Sequence, residues 1–353
     1  MCNKIKAGII GFGYMGNYHY KKSISVGSFE IKAIYDNSKE AIENAKEEGI
    51  IAYENVETFL NDEEIKLVFI CTPNDTHDYY SKLCLNAGKN VMVEKPVAMN
   101  ENELKGIIKC ANENDKIFTV HQNRRWNEDF KSVEQVVHSN KLGNITNIES
   151  KVFGQKGVCY GWGAEPEKGG GMLYDWGIHL VDQALHLFKG VKVVQIYARL
   201  QSVLTPLVDD NDEIHITFES GTCFKIYIAT FALQHQPRWL IFGDKGTMIL
   251  NDFNSTNGNI KVIKGDISGF DSVFGKAVIG PSRTMAPLMP ENIEDITLPE
   301  IITQENEYHR NLIEAVRGNE KVYVSHEDML RSMQVIMSAF ESSTRNILIP
   351  TNI

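Results

Sequence analysis

The chain has 353 residues, a formal net charge of −10, 42% hydrophobic and 23% charged residues. These are values of a soluble globular chain with room for two domains. The acidic balance argues against a nucleic-acid or anionic-membrane surface as partner. The six cysteines (Cys2, Cys71, Cys84, Cys110, Cys159, Cys223) form no C-x-x-C pair or spaced ladder, so free thiols in a reducing compartment are expected. The glycine turn comes too early for a signal peptide, and no apolar run approaches membrane-spanning length. A cytoplasmic location is expected.

Lys6 to Ile10 reads as a short buried strand that runs directly into G-x-G-x-x-G at Gly11, Gly13 and Gly16. In such a motif the first glycine makes a tight turn and the second lets backbone approach a pyrophosphate. The third lets the next helix pack close to the strand, with its N-terminal N–H groups facing the phosphates. A second apolar run, Phe29 to Tyr35, ends at Asp36, about 20 residues beyond Gly16. A carboxylate there accepts hydrogen bonds from the adenosine ribose and repels a 2′-phosphate, which favours NAD over NADP. The competing reading is that Asp36 only caps the following helix.

Helices are expected over Lys39–Glu48, with Gly49 as stop, over Val56–Leu60, from Asp75 or Thr76 through Gly88, and over Glu101–Glu113. Strands are expected at Leu67–Cys71, Asn90–Val93 and Ile117–Val120. This alternation predicts a doubly wound parallel Rossmann sheet over residues 1–123, with ligands beyond the carboxyl ends of its strands. The candidate cofactor contacts at those ends are Gly11, Phe12, Gly13, Tyr14, Met15, Gly16, Asp36, Asn37, Cys71, Thr72, Pro73, Asn74, His77, Glu94, Lys95 and Asn123.

Residues 124–353 change rhythm. After a helix over Asn127–Ser139, strands are expected at Asn144–Phe153, Val191–Leu204, Glu213–Glu219, Thr222–Phe231, Trp239–Phe242 and Thr247–Leu250, with a hairpin turn at Ser220-Gly221. One long helix, Met172–Phe188, interrupts them. The pattern predicts an α+β domain on a mostly antiparallel open sheet, with helices on one face and the other covered by oligomerisation. A homodimer or homotetramer is expected. Residues 265–300 read as a long loop, and Asn306–Arg317 and His326–Arg345 as closing helices.

Within Gly169–Asp182, Asp175, His179 and Asp182 share a helical face. Gly177 between them costs helix stability, roughly 1 kcal/mol, which suggests a close approach at that turn. A histidine beside a carboxylate can accept an alcohol proton near neutral pH. The alternatives are a solvated helix face, or a metal site, since D-x-x-x-H has ligand spacing. With no Cys or His cluster elsewhere along the chain, no metal is expected. Asp182 and His186 read as structural. Lys95, at a strand end before Pro96, can hydrogen-bond a substrate oxygen; the alternative is an ordinary surface lysine. Asn123, Arg125, Trp162 and His235 are candidate substrate contacts, Trp162 as a sugar-stacking ring or as core.

Taken together, GFGYMG (11–16), CTPNDTH (71–77), EKP (94–96) and GGGMLYDWGIHLVD (169–182) resemble the glucose-fructose oxidoreductase/inositol dehydrogenase family, Gfo/Idh/MocA, over essentially the whole chain. The resemblance implies an N-terminal Rossmann domain, a C-terminal α+β domain and an NAD(P)-dependent sugar or polyol dehydrogenase. The family's catalytic lysine, aspartate and histidine fall on Lys95, Asp175 and His179, which also become substrate contacts. Residues 121–130 and 174–188 look most like the scyllo-inositol dehydrogenase branch, some of whose members use NADP. The expected reaction converts a secondary alcohol of a cyclic polyol or sugar to a ketone. His179 takes the proton, Asp175 orients it and Lys95 stabilises the oxygen. The alternatives are redox-neutral elimination or epimerisation on tightly bound NAD, and an inactive sugar or NAD sensor.

Overall fold

The computed structural model describes residues 4–265, 275–277, 280–282, 288–302 and 305–353; for 275–277 and 280–282 it describes the backbone alone. The first sheet has six parallel strands: β1 (Ile5–Ile10), β2 (Phe29–Tyr35), β3 (Ile51–Tyr53), β4 (Leu67–Ile70), β5 (Asn90–Val93) and β6 (Phe118–Val120). Their order is β3-β2-β1-β4-β5-β6. Helices α1 (Tyr14–Val26), α2 (Lys39–Glu47), α3 (Val56–Leu60), α4 (His77–Asn86) and α5 (Glu101–Glu113) connect them. Leu67–Ile70 is buried at every position, as a strand covered on both faces requires. The strand order reverses between β1 and β4, so a crevice opens beyond their carboxyl ends, at Gly11 and Cys71.

Helix α6 (Glu128–His138) leads to the second sheet. It comprises β7 (Ile145–Phe153), β8 (Val193–Gln201), β9 (Asn211–Phe218), β10 (Cys223–Ala229), β11 (Trp239–Gly243), β12 (Gly246–Leu250), β13 (Gly258–Ile263), β16 (Ile293–Ile296) and β17 (Ile349–Pro350); β14 (Gly275–Ala277) and β15 (Gly280–Ser282) pair separately. All neighbours are antiparallel except β7 and β10. Strands β9 and β10 alternate buried and half-buried residues, and Gly221 in their hairpin has φ +87. Helices α7 (Ile178–Leu187) and α9 (His326–Arg345) share its core through Val181, Ala184, Ile336 and Ala339.

Three features depart from the sequence expectation. The 265–300 stretch holds strand β16 and the β14–β15 pair; within it, 266–274, 278–279 and 283–287 lie outside the described residues. The helix expected over Met172–Phe188 begins as a π-turn at Leu173–Gly177 before α7. The closing helices serve both halves: α8 (Glu307–Val316) and part of α9 put Tyr308, Leu312, Ile313, Met329 and Met333 into the first core. The Tyr308 hydroxyl donates to Val120 O and Thr119 Oγ1 to Val324 O, so β6 is tied to the carboxyl-terminal region. Cys71, Cys84, Cys110, Cys159 and Cys223 are free thiols. Among the described residues no helix is long and apolar enough to cross a membrane.

Candidate active site

The crevice is a cavity of about 1430 Å³ running from the glycine turn to the start of α7. At one end lie the three glycines, two of which make the close approaches their spacing predicts. Gly11 has φ +90, and a Cβ there would meet Cys71 O at 2.7 Å. At Gly16 a Cβ would meet Gly11 O at 2.3 Å, so the helix can sit this close to the turn only with glycine. Gly13 has nothing within 4 Å of a Cβ position and lines the cavity. The first turn of α1 carries no acidic residue, so its N-terminal dipole is free to meet an anion. These features fit a dinucleotide pyrophosphate, and Gly13, Tyr14 and Met15 would hold it.

Asp36 lies in the same wall. Its Oδ2 accepts from Phe12 N at 2.6 Å and its Oδ1 from Ser38 N at 2.7 Å, joining the glycine turn to the end of β2. It does not cap α2; the Ser38 side chain does, accepting from Ala41 N. Asn37, Cys71, Thr72, Pro73, Asn74, Glu94 and Asn123 also line the cavity with Phe12. His77 does not. It is buried between Pro96 O, 2.7 Å from Nδ1, and Thr72 O, 2.9 Å from Nε2, so it clamps the loops after β4 and β5 together.

At the other end stand Lys95, Asp175 and His179. Lys95 follows β5 and Glu94, and its Nζ donates to Asp175 Oδ1 at 2.5 Å and Asp175 O at 3.1 Å. Asp209 sets the start of the opposing segment: its backbone carbonyl accepts from Met172 N and its Oδ2 from Leu173 N at 2.6 Å. A Cβ on Gly171, which has φ +104, would strike that carboxylate at 2.3 Å. The close approach expected at Gly177 is made by Leu173, whose Cδ1 would lie 2.8 Å from a Cβ there.

Asp175 does not orient His179. It is engaged with Lys95, and His179 Nδ1 lies 2.8 Å from Gln122 Oε1. An amide oxygen only accepts, so this bond places the proton on Nδ1 and leaves the Nε2 lone pair for the cavity that His179 lines. His179 is only 4% exposed. Burial, and then the Lys95 and Arg124 cations, hold its pKa well below the ordinary histidine value. It is a neutral base at neutral pH.

Two expected substrate contacts lie outside the cavity wall. Arg125 is 3% exposed and donates from Nε and Nη2 to Asp182 at 2.7 and 2.6 Å, and from Nη1 to Tyr323 O. It is a strut, and Asp182 is its partner. His235 is exposed and away from the cavity lining. Arg124 takes the place expected of Arg125: its guanidinium stacks 4.3 Å above the Trp176 ring, and both residues line the cavity. Gln183 Nε2 fixes this turn by donating to Arg124 O. Trp162 is 44% exposed on the same wall, which rules out the core-packing alternative. His186 pairs with Glu134, as a structural residue. Gln122, Arg124 and Trp176 went unnamed as site residues in the sequence. The rule that ligands meet strand ends marks the run 121–125, but not which of its side chains turn inward.

Comparison with known proteins gives a consistent assignment. Residues 5–122 match the oxidoreductase family with NAD-binding Rossmann fold, and residues 134–348 its C-terminal alpha/beta domain. The chain is 25% identical over 342 residues to scyllo-inositol 2-dehydrogenase (NADP(+)) IolW of Bacillus subtilis (strain 168), covering 96% of this chain and 94% of that protein. It is 24% identical over 272 residues to myo-inositol 2-dehydrogenase of Thermotoga maritima, covering 74% of this chain and 80% of that protein. The crystal structure of an NAD-binding protein from Listeria innocua superposes with a TM-score of 0.94 at 32% identity, covering 99% of this chain and 100% of that one. The chain therefore belongs to the Gfo/Idh/MocA oxidoreductase family and carries its NAD-binding Rossmann domain.

Proposed function

We propose that the protein interconverts a secondary alcohol and a ketone on a cyclic polyol or sugar, with Lys95, Asp175 and His179 as the catalytic group. The observation that carries this reading is the meeting, in one cavity, of a neutral histidine with a free Nε2 and a lysine ammonium held by a carboxylate. NAD, when bound, supplies the acceptor for the carbon-bound hydride.

His179 Nε2 takes the hydroxyl proton, and Gln122 keeps the imidazole in the tautomer that can do so. The Lys95 ammonium donates to the substrate oxygen as negative charge develops there, and later to the carbonyl. Asp175 keeps that ammonium in place. Trp162 and Trp176 offer ring faces against which the C–H face of a sugar or cyclitol packs, while Asn123 and Arg124 offer donors to its hydroxyls. The polyol dehydrogenase names of two relatives agree with this substrate class. Asp36 favours NAD as the working cofactor.

The test is formation of NADH and NADPH by the purified protein against inositols, hexoses and glycosides, with His179→Ala in parallel. Turnover of a cyclic polyol, with NAD preferred and the variant inactive, is expected. Absence of cofactor reduction with every compound, in a protein that retains NAD through purification, would contradict the dehydrogenase reading.

A further inference from the structure

Three histidines far apart in the chain meet at the wall of the cavity, which His121 itself lines. His19 comes from α1, His121 from the end of β6 and His309 from α8, and each is at most 1% exposed. One ligand nitrogen from each lies within 4.8 Å of those of the other two. Their ring centroids are 4.7, 5.2 and 5.6 Å apart. Zinc–nitrogen bonds of about 2.0–2.1 Å in a tetrahedral arrangement place imidazole centroids about 5 Å from one another. The triangle has the size of a three-histidine metal centre.

The hydrogen bonds prepare the same arrangement. Glu94 Oε1 lies 2.8 Å from His19 Nε2 and 2.8 Å from His121 Nδ1. A carboxylate accepts, so both of those nitrogens carry protons, and the lone pairs fall on His19 Nδ1 and His121 Nε2. His121 Nε2 is buried with no partner, and His19 Nδ1 accepts from His309 Nε2 at 3.0 Å; ion binding would move that proton to His309 Nδ1, which is also buried with no partner. A carboxylate that fixes the far nitrogen of ligating imidazoles is the usual outer partner of a metal-bound histidine. The Tyr18 ring lies 5.2, 5.8 and 6.1 Å from the three imidazoles, on the side where it lines the cavity, and Phe29 and Phe69 pack on His309 and His19. Aromatic rings thus flank the site, and His121 and Glu94 open it to the cavity.

We propose that His19, His121 and His309 form a binding site for one divalent transition-metal ion of the zinc class, with Glu94 as the orienting carboxylate. All-nitrogen donors select against magnesium and calcium, which take oxygen ligands. The ion would staple the helix that follows the glycine turn to helix α8, beside the cavity. The competing arrangement is a metal-free network of neutral imidazoles around one carboxylate.

The experiment uses the full-length protein stripped with a chelator and then titrated with Zn²⁺ and, as a spectroscopic probe, Co²⁺. One equivalent of Zn²⁺ retained through desalting, a rise in Tm with Zn²⁺, and the visible bands of four-coordinate Co²⁺ are expected. His309→Gln should weaken metal binding by more than the roughly 10- to 100-fold that loss of an orienting partner costs. His309→Cys should restore uptake and add a thiolate-to-cobalt charge-transfer band, a signature independent of any folding defect in the first variant. Failure of the wild type to take up either ion would overturn the proposal, as would unchanged uptake in His309→Gln or the lack of a thiolate band in a His309→Cys protein that binds cobalt.

Discussion

Lys95 Nζ and Asp175 Oδ1 are 2.5 Å apart, so the end of β5 and the turn that opens α7 are joined by an ion pair in the cavity. The aspartate serves the lysine, and the histidine four residues later is served by Gln122. Asp175→Asn removes the charge that keeps the ammonium aimed. Loss of such a charge-assisted bond costs about 1.5–3 kcal/mol, or roughly a 10- to 100-fold fall in kcat, with a smaller change in KM. Steady-state kinetics of the variant check this.

Gln122→Leu leaves the His179 Nδ1–H without an acceptor in a buried place. That costs about 1–3 kcal/mol of tautomer and orientation control, so kcat should drop roughly 5- to 100-fold while NAD binding stays close to wild type. Gln122→Glu places a carboxylate at the same point and favours the imidazolium. The acidic limb of its pH profile should move to higher pH.

His179 has its pKa depressed in the folded protein, mainly by burial, then by Lys95 and Arg124. Activity that needs the neutral ring therefore persists as pH falls through 6.5, and the acidic limb of kcat/KM lies below that value. Arg124→Gln removes one of the two cations, so its limb should shift upward. A profile of kcat/KM against pH for both proteins decides this; a wild-type limb above 6.5 would contradict the electrostatics described here.

Arg125→Ala leaves Asp182 buried and unpaired. Breaking a buried pair in this way costs about 3–5 kcal/mol, and the expected fall in Tm is more than about 5 °C. Arg124→Ala, which breaks no ion pair, should leave Tm nearly unchanged and raise KM for substrate. Thermal unfolding and kinetics of the two neighbouring variants separate the strut from the substrate contact.

Asp36→Ser removes the carboxylate beside the glycine turn, together with its bonds to Phe12 N and Ser38 N. The ratio of kcat/KM for NAD to that for NADP should fall by at least about tenfold, the weight of one charge-assisted hydrogen bond. Measuring both cofactors at fixed substrate tests it.

Much of the fold is legible because its signals are local. Gly11 and Gly16 make the close approaches their spacing predicts, and Glu101–Glu113 and His326–Arg345 begin and end where caps and periodicity place them. Ile51–Tyr53 escapes because three residues carry no period, and Gly258–Ile263 because its polar positions resemble a loop. The site is only partly legible. Lys95, Asp175 and His179 sit in informative local contexts, but the partner of each depends on contacts 57 or 80 residues away. The π-turn at Leu173–Gly177 sends two residues of one expected face to different partners, and the tight turn at Asn123–Trp126 turns Arg124 to the cavity and Arg125 into the buried pair with Asp182. Neither leaves a compositional trace. His19, His121 and His309 are each a lone histidine until three elements bring them together.

In the proposed reaction a hydride leaves a polyol carbon while His179 takes the hydroxyl proton. The most direct measurement supplies a cyclic polyol deuterated at the carbinol carbon and follows the label into reduced cofactor, for the wild type and for His179→Ala. Deuterium at nicotinamide C4 with a primary isotope effect in the wild type, and none in the variant, is the predicted result. Product formed without reduced cofactor, or label transfer that survives loss of His179, would contradict it.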